Sequence, residues 1–198
     1  PLKEDLKNEF KASFETPTDK ETGIPVSNFT KKDKQINRQM VSNAVAAFAN
    51  CDGGKLFIGV RDKPAGKLVG PKSESTMEMK TSEKFDAYKR VIQDSIFYYT
   101  KRRTIKITFQ QGEGKEFLVL DIEPDETPTY VSPFGTEKKD YYIRQDGESV
   151  IIDGDEMINH IKKYHPTHFG SNKNDSGRWN QDKRQYSKET KNRQRYRR

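Results

Sequence analysis

Cysteine is nearly absent from this sequence, because Cys51 is the single one among 198 residues. One cysteine cannot form an intramolecular disulfide or a cysteine-cluster zinc site, so we expect a reducing compartment, the cytoplasm or the nucleus. Apolar runs are also short, and none reaches ten consecutive residues. Such runs are too short for a transmembrane helix or a secretory signal peptide, and we expect no membrane partner.

Familiar catalytic motifs are missing too. The sequence has no glycine-rich phosphate loop with a trailing Lys-Ser/Thr, no His-Glu-x-x-His and no Gly-x-Ser-x-Gly. The three histidines, His160, His165 and His168, lie near the predicted end of the last helix, and we interpret them as surface positions. A nucleophilic role for Cys51 is disfavoured, since no histidine is adjacent to it in the sequence.

Charge is abundant but unevenly distributed. Hydrophobic residues make up 31% and charged residues 34% of the chain, whose formal net charge is +7. Residues 166–198 contain ten Lys and Arg against three acidic residues, so this segment accounts for the whole net charge. Its few apolar side chains cannot offset the entropy of ordering it. We therefore divide the chain into a folded domain, residues 1–165, and a basic, disordered C-terminal tail, residues 166–198.

The folded domain combines strand and helix patterns. Alternation and apolar runs predict strands over 6–14, 55–62, 104–110, 115–123, 140–145 and 149–152. The strand 55–62 is apolar on both faces, which is typical of the middle of a sheet. A first helix is predicted from an N-cap at Asp33, with an apolar stripe that starts at Ile36 and Met40. A second helix is predicted over 82–99. A third is predicted from Asp155 to Pro166, with Ile158 and Ile161 buried. The fold class is therefore α+β, with a mixed, partly antiparallel sheet and about three helices.

Acidic residues near strand ends are the first candidates for chemistry. Glu9 shares the polar face of the first strand with Lys11, and Asp62 ends the strand 55–62. Carboxylates gathered at the end of a sheet can hold a divalent cation, which requires hard oxygen ligands. Solvated surface charge explains the same pattern, and the spacing alone favours that simpler interpretation.

The segment 47–62 resembles the central motif of the Schlafen and AlbA_2 domain family. An Ala-Phe-Ala-Asn-x-x-Gly-Gly turn at 47–54 is followed by a strand that ends Ile-Gly-Val-x-Asp at 58–62. A Glu-Phe-Lys strand at 9–11 and a Tyr-x-Arg-x-x-Gly strand at 142–147 follow the family pattern in the same order. The resemblance covers roughly residues 4–163 and leaves out the tail.

The resemblance implies two alternative functions. The Schlafen branch includes endoribonucleases that cut transfer and ribosomal RNA with three carboxylates and a divalent metal. By this resemblance Glu4, Glu9 and Asp62 hold Mg²⁺ or Mn²⁺, and Lys11 lies near the scissile phosphate. Many microbial members are described as DNA-binding modules, so the alternative is a non-catalytic regulatory module that binds DNA or RNA.

Two further expectations concern geometry. Residues five apart face opposite sides of a strand, so Glu4 and Glu9 converge only if a turn or bulge separates them. Schlafen nuclease cores pair two related lobes, whereas this chain has one. The resemblance therefore implies a homodimer, or pairing with a second Schlafen-like lobe.

Basic residues supply the candidate contacts to nucleic acid. In the tail they interleave with aromatic residues, a pattern that suits backbone phosphates and stacking on unpaired bases. A solubilising tail is the alternative there, and solvated charge is the alternative for the arginines of the folded domain. The Gly53-Gly54 pair favours a tight connection between helix and strand over a phosphate cradle. The candidate nucleic-acid-binding residues are Arg102, Arg103, Arg144, Arg178, Trp179, Lys183, Arg184, Arg193 and Arg195.

Overall fold

The computed structural model describes residues 5–17, 26, 28–61, 67–69, 82–102, 105–113 and 115–170. The helices are α1 (Lys31–Ala49), α2 (Ser82–Thr100), α3 (Gly154–Tyr164) and α4 (Thr167–Gly170). The strands are β1 (Asn8–Lys11), β2 (Gly54–Ile58), β3 (Val60–Arg61), β4 (Lys67–Leu68), β5 (Lys106–Gly112), β6 (Lys115–Ile122), β7 (Tyr130–Val131), β8 (Asp140–Gln145) and β9 (Glu148–Ile152). The predicted α+β class is confirmed. No helix in these ranges has the length and apolar character needed to cross a bilayer.

The main sheet has the strand order β1-β2-β6-β5. β1 runs parallel to β2, and the other pairs are antiparallel. The prediction that the 55–62 segment lies centrally is confirmed, because β2 is paired on both edges. Leu56 and Ile58 pack with α1 and α2 in the largest core cluster, whereas Phe57 packs with Phe10 on the opposite face.

A second, antiparallel sheet has the order β7-β8-β9 and packs against α1. The contact buries Tyr142 and Val131 against Ala46 and Ala47, whose small side chains allow a close approach. The hairpin β8–β9 turns at Asp146 and Gly147, which have φ values of +50° and +83°. Two consecutive left-handed residues match the type I′ turn that Asp-Gly favours.

The first helix differs from its prediction at the N-terminal end. Thr30, not Asp33, is the N-cap: its hydroxyl accepts from the Asp33 backbone N–H at 3.2 Å, and the Asp33 carboxylate accepts from the Thr30 N–H at 2.7 Å. This reciprocal capping box moves the helix start by three residues. Ile36 and Met40 are 48% and 49% exposed, because the buried residues of α1 begin only at Val41. The predicted apolar stripe is therefore wrong over its first half.

Other boundaries also shift. β1 spans four residues rather than the predicted 6–14, since a turn precedes it and buried coil follows it. The strand predicted over 55–62 breaks at Gly59, whose φ is +94°. Ile161 is buried as expected, but Ile158 is only half-buried. The short helix α4 lies within the segment 166–198, which the sequence predicts to be a disordered tail.

Candidate functional site

Glu9 and Lys11 lie side by side on one face of β1. The Lys11 ammonium is 2.6 Å from Glu9 Oε1, and the two side chains are 26% and 9% exposed. Lys11 is the last residue of β1, and its carbonyl accepts from the Gly59 N–H at 2.8 Å. Because β1 and β2 are parallel, their carboxyl ends meet at this edge, and the chain runs on through β3 toward Asp62.

Two of the four predicted catalytic residues, Glu4 and Asp62, lie outside the described residues, so the three-carboxylate arrangement stays a prediction. Phe57 and Val60 share one core cluster, although residues three apart on a continuous strand face opposite sides. The alternation of side chains between the two faces of the sheet, as it runs along β2, therefore does not continue in register into β3.

A turn built by Asp5 immediately precedes β1. The Asp5 carboxylate accepts from the backbone N–H groups of Lys7 at 2.7 Å and Asn8 at 2.8 Å, and the Asp5 N–H donates to the Asn8 carbonyl at 3.0 Å. These hydrogen bonds, led by that from Lys7, lower the pKa of Asp5. The chain thus contains, between positions 4 and 9, the turn that convergence of Glu4 and Glu9 requires.

Arg144 is the cation at the centre of this region, and its side chain is only 2% exposed. Its Nη1 donates to Glu9 Oε2 and, at 3.1 Å, to the Ser149 hydroxyl. The guanidinium lies over the Phe48 ring at 4.5 Å from the centroid. A charge so thoroughly removed from water is tolerated because it is paired and hydrogen-bonded.

The second nitrogen of Arg144 extends the same cluster to two backbone segments. Its Nη2 donates to the Asp5 carbonyl at 2.9 Å and to the Gly147 carbonyl. One buried side chain therefore connects the turn before β1, β1 itself and the β8–β9 hairpin. These contacts give Arg144 a positioning role, and its contact with nucleic acid stays a prediction.

The other predicted nucleic-acid contacts are placed as follows. Arg102 is ion-paired with Asp125, donates to the Glu123 carbonyl at 2.8 Å and has a side chain 9% exposed. Like Arg144, it is engaged by protein groups. The remaining candidates lie outside the described residues: Arg103, Arg178, Trp179, Lys183, Arg184, Arg193 and Arg195.

The Glu9 carboxylate retains capacity for one more ligand. Among described residues, Oε1 accepts from Lys11, while Oε2 accepts from Arg144 and from the Ser149 hydroxyl at 3.2 Å. An ionised carboxylate offers about four lone-pair sites, so one position on Oε1 has no partner among the residues that the structure describes. No cluster of three His, Cys, Asp or Glu side chains able to hold a metal occurs within the described ranges, from which Glu4 and Asp62 are missing.

Sequence reasoning missed a second polar cluster behind Arg144. Cys51 Sγ is 3.7 Å from His160 Nε2, and His160 Nδ1 is 3.1 Å from the Tyr141 hydroxyl. Burial raises the pKa of the Cys51 thiol and lowers the pKa of His160 to about 4. A reactive thiolate–imidazolium pair needs the opposite shifts, so this is a neutral pair and the thiol is not activated.

The surface interpretation of the histidines is wrong for two of the three. His160 is half-buried between Tyr141 and Tyr164, and its ring stacks on that of Tyr164 with centroids 4.3 Å apart. His165 is 1% exposed, and its Nδ1 donates to the Asp125 carbonyl at 3.0 Å. Only His168 is exposed as expected.

The Arg144–Glu9 pair is expected to be strongly coupled. Arg144→Met leaves the Glu9 charge buried with reduced compensation, so we expect it to cost about 3 kcal/mol of unfolding free energy. In the double variant that also carries Glu9→Gln, the loss of unfolding free energy should be smaller than the sum of the losses in the two single variants by at least about 1 kcal/mol. Urea unfolding of the four proteins measures this coupling.

The exposed pair Lys55–Asp121 is the matched control, because its atoms are 3.9 Å apart and its side chains 51% and 42% exposed. Its coupling should stay below about 1 kcal/mol. Equal coupling for the two pairs would show that the Arg144 cluster does not organise the fold.

The low pKa of His160 predicts a pH dependence. Because the folded pKa, about 4, lies below the ordinary value of 6.5, the unfolded chain binds the proton first as the pH falls. His160 therefore lowers stability progressively between about pH 6.5 and 4 and has no such effect above that range. NMR titration of the His160 ring should give a midpoint near pH 4, and a midpoint near 6.5 would contradict the burial argument.

Comparison with known proteins supports the fold and identifies the family. The DIP2311 protein from Corynebacterium diphtheriae is similar over 80% of this chain, with a TM-score of 0.54 and 16% identity, which shows a shared fold. The match covers 27% of that protein, so this chain corresponds to about a quarter of its length. The N-terminal domain of a RecG-related protein from Nitrosomonas europaea matches 58% of this chain and 76% of its own, with 21% identity and a TM-score of 0.34. None of the curated proteins matches this chain.

The family model for the Schlafen AlbA_2 domain matches residues 4–153. That range contains the Asp5 turn, the Glu9–Lys11 pair, the Gly53-Gly54 connection and Arg144. It ends one residue before α3 and excludes the basic tail. The chain therefore belongs to the Schlafen AlbA_2 family.

Proposed function

We propose that this protein is a divalent-metal-dependent endoribonuclease that acts on structured RNA such as transfer or ribosomal RNA. The observation that carries the proposal is the ion pair of Glu9 with Lys11, the last residue of β1, beside the strand that leads to Asp62. Family membership adds support, because the Schlafen branch includes nucleases with these residues in the same order. The alternative is a regulatory module that binds DNA or RNA without cutting it.

The residues of this edge suit a hard divalent cation. Mg²⁺ and Mn²⁺ prefer carboxylate oxygens, and Lys11 is the one partner of Glu9 Oε1 in the described part of the chain. Glu4 and Asp62 would complete the set of oxygen ligands. A bound ion would stabilise negative charge on the phosphoryl oxygens and lower the pKa of an attacking water.

The protein's own residues have separable tasks. Arg144 and Ser149 hold Glu9 Oε2, which fixes the plane of the carboxylate and directs Oε1 toward Lys11. Lys11 is the more exposed partner, so its ammonium can exchange Glu9 for a phosphate oxygen. Its positive charge then stabilises the extra negative charge of the transition state. Positioning by Arg144 and charge stabilisation by Lys11 are therefore distinct contributions.

Cleavage assays test the proposal directly. With structured RNA in Mg²⁺ or Mn²⁺, the wild type should produce discrete fragments, and Asp62→Asn should reduce the single-turnover rate by about 100-fold or more, because removal of transition-state charge stabilisation has effects of that size. Lys11→Ala should reduce the rate at saturating RNA in the same assay.

Two matched variants serve as controls for this assay. Asp52→Asn changes an exposed aspartate in the turn after α1, and Lys55→Ala removes an exposed lysine of β2, so neither should alter cleavage. Absence of fragments from the wild type in both metals, with RNA bound, would favour the non-catalytic module instead.

The tail should contribute affinity and not chemistry. Residues 171–198 contain all ten basic residues of the tail, and a truncation after Gly170 keeps α4, where Thr167 donates to the Glu126 carbonyl. Each lost phosphate contact should lower the magnitude of the log–log salt slope of RNA binding by about 0.7 to 0.9. Single-turnover cleavage at saturating RNA should change little. Unchanged affinity and slope would show that the tail is a solubility element.

Assembly is the last element of the proposal. Since the chain supplies one lobe, we propose a homodimer, or pairing with another Schlafen-like lobe, to enclose structured RNA.

A further inference from the structure

A cleft beside the C-terminal end of α2 lies outside the Glu9–Arg144 region. It has a volume of about 370 Å³. We propose that this cleft binds an unpaired nucleotide of a single-stranded nucleic acid, with the base stacked on Tyr98 and a phosphate at Lys101. The inference shares with the proposed function the premise of a nucleic-acid partner but does not require that the partner be cut. The lining includes Tyr98, Lys101, Ser132, Pro133, Thr136 and Glu137.

An exposed aromatic ring dominates the cleft. Tyr98 is 54% exposed, and Phe134, in the loop after β7, is 47% exposed. The Tyr98 ring meets the buried Tyr99 edge-on, with centroids 5.0 Å apart and an interplanar angle of 90°. That contact fixes the orientation of Tyr98 while most of its surface stays accessible. A fixed, exposed ring is the platform on which unpaired bases stack.

Lys101 places a cation beside that ring at a cost in backbone strain. Its φ is +61°, in the left-handed position after a helix that glycine usually occupies, and its N–H donates to the Phe97 carbonyl at 2.9 Å. Its ammonium lies 5.6 Å from the Tyr98 centroid and donates to the Tyr98 carbonyl at 3.1 Å. The exposed lysine thus holds its charge next to the stacking surface, where the phosphate of a stacked nucleotide would lie.

The opposite wall of the cleft is anchored to both long helices. The Ser132 N–H donates to the Tyr99 carbonyl at 2.8 Å, and the Phe134 N–H donates to Gln39 Oε1 at 3.1 Å. The loop after β7 is therefore held in place before any ligand arrives. A preformed cleft loses little conformational entropy on binding.

The chemistry of the lining favours a nucleotide over a second copy of the chain. A ring, an ammonium, a carboxylate and hydroxyls converge in one small cleft, whereas the core of a homodimer interface is predominantly apolar. The Glu137 carboxylate can accept a hydrogen bond from the exocyclic amine of an unpaired base. A deoxyadenylate probe presents such an amine at every position.

Binding of a fluorescein-labelled deoxyadenylate dodecamer to the full chain, measured by anisotropy in EDTA, tests the inference. Tyr98→Ala should raise Kd about fivefold or more, the loss expected for one stacked base, while Tyr98→Phe should keep the wild-type value. Lys101→Gly should lower the magnitude of the log–log salt slope by about 0.7. Because glycine suits the left-handed position, the Tm of this variant should be equal to or above that of the wild type.

Ile151→Ala is the matched control, since Ile151 is 45% exposed on β9, at the far edge of the sheet from the cleft, and its variant should bind like the wild type. Unchanged Kd and salt slope in Tyr98→Ala and Lys101→Gly would overturn the inference. So would a dimer that dissociates in Tyr98→Ala with nucleotide binding intact, which would make the cleft a self-association surface. Because the probe is DNA and no metal is present, failure of the nuclease proposal leaves this result unaffected, and the reverse also holds.

Discussion

A single buried guanidinium holds together the region where function is proposed. Arg144, on β8, lies over the Phe48 ring and donates to Glu9 on β1. It also donates to carbonyls of the Asp5 turn and of the β8–β9 hairpin. Its side chain is 2% exposed, so loss of any partner would leave a charge or a carbonyl without compensation in a poorly solvated region. The small sheet and the edge of the main sheet therefore depend on one another through this residue.

The same constraint orients the candidate chemistry. With Oε2 held by Arg144 and Ser149, Glu9 presents Oε1 toward Lys11 and the carboxyl ends of the parallel strands. Cys51 lies behind this arrangement, where its sulfur accepts from the Arg144 backbone N–H at 3.3 Å. Since burial keeps both Cys51 and His160 neutral near pH 7, thiol chemistry is disfavoured at this position.

Local sequence patterns predicted the strands, helices and hairpins whose formation depends on residues close together in the sequence. The apolar run of β2, the periodicity of α2 and the hairpin β5–β6 were all predictable, because strand burial, helix spacing and turn residues act over a few positions. Periodicity could not show that Ile36 and Met40 precede the part of α1 that packs against the core, which begins at Val41. Glu9 and Arg144 are 135 residues apart in the sequence, and Cys51 and His160 are 109 apart. No local sequence pattern predicts either contact. Strand positions made Glu9, Lys11 and Asp62 candidates, and family resemblance implied their catalytic role. The ion pair that positions Glu9 came only from the fold.

We propose that a divalent cation is held beside Glu9, on the side of β1 that leads to Lys11. Paramagnetic broadening by Mn²⁺ in amide NMR spectra of the full chain measures the position of such an ion without RNA and without turnover. We predict that substoichiometric Mn²⁺ broadens the amides of Glu9, Lys11 and Gly59–Arg61 first and leaves those of α3 sharp. Uniform broadening, or broadening that begins at the exposed acidic residues Asp155 and Glu156 of α3, would contradict the account.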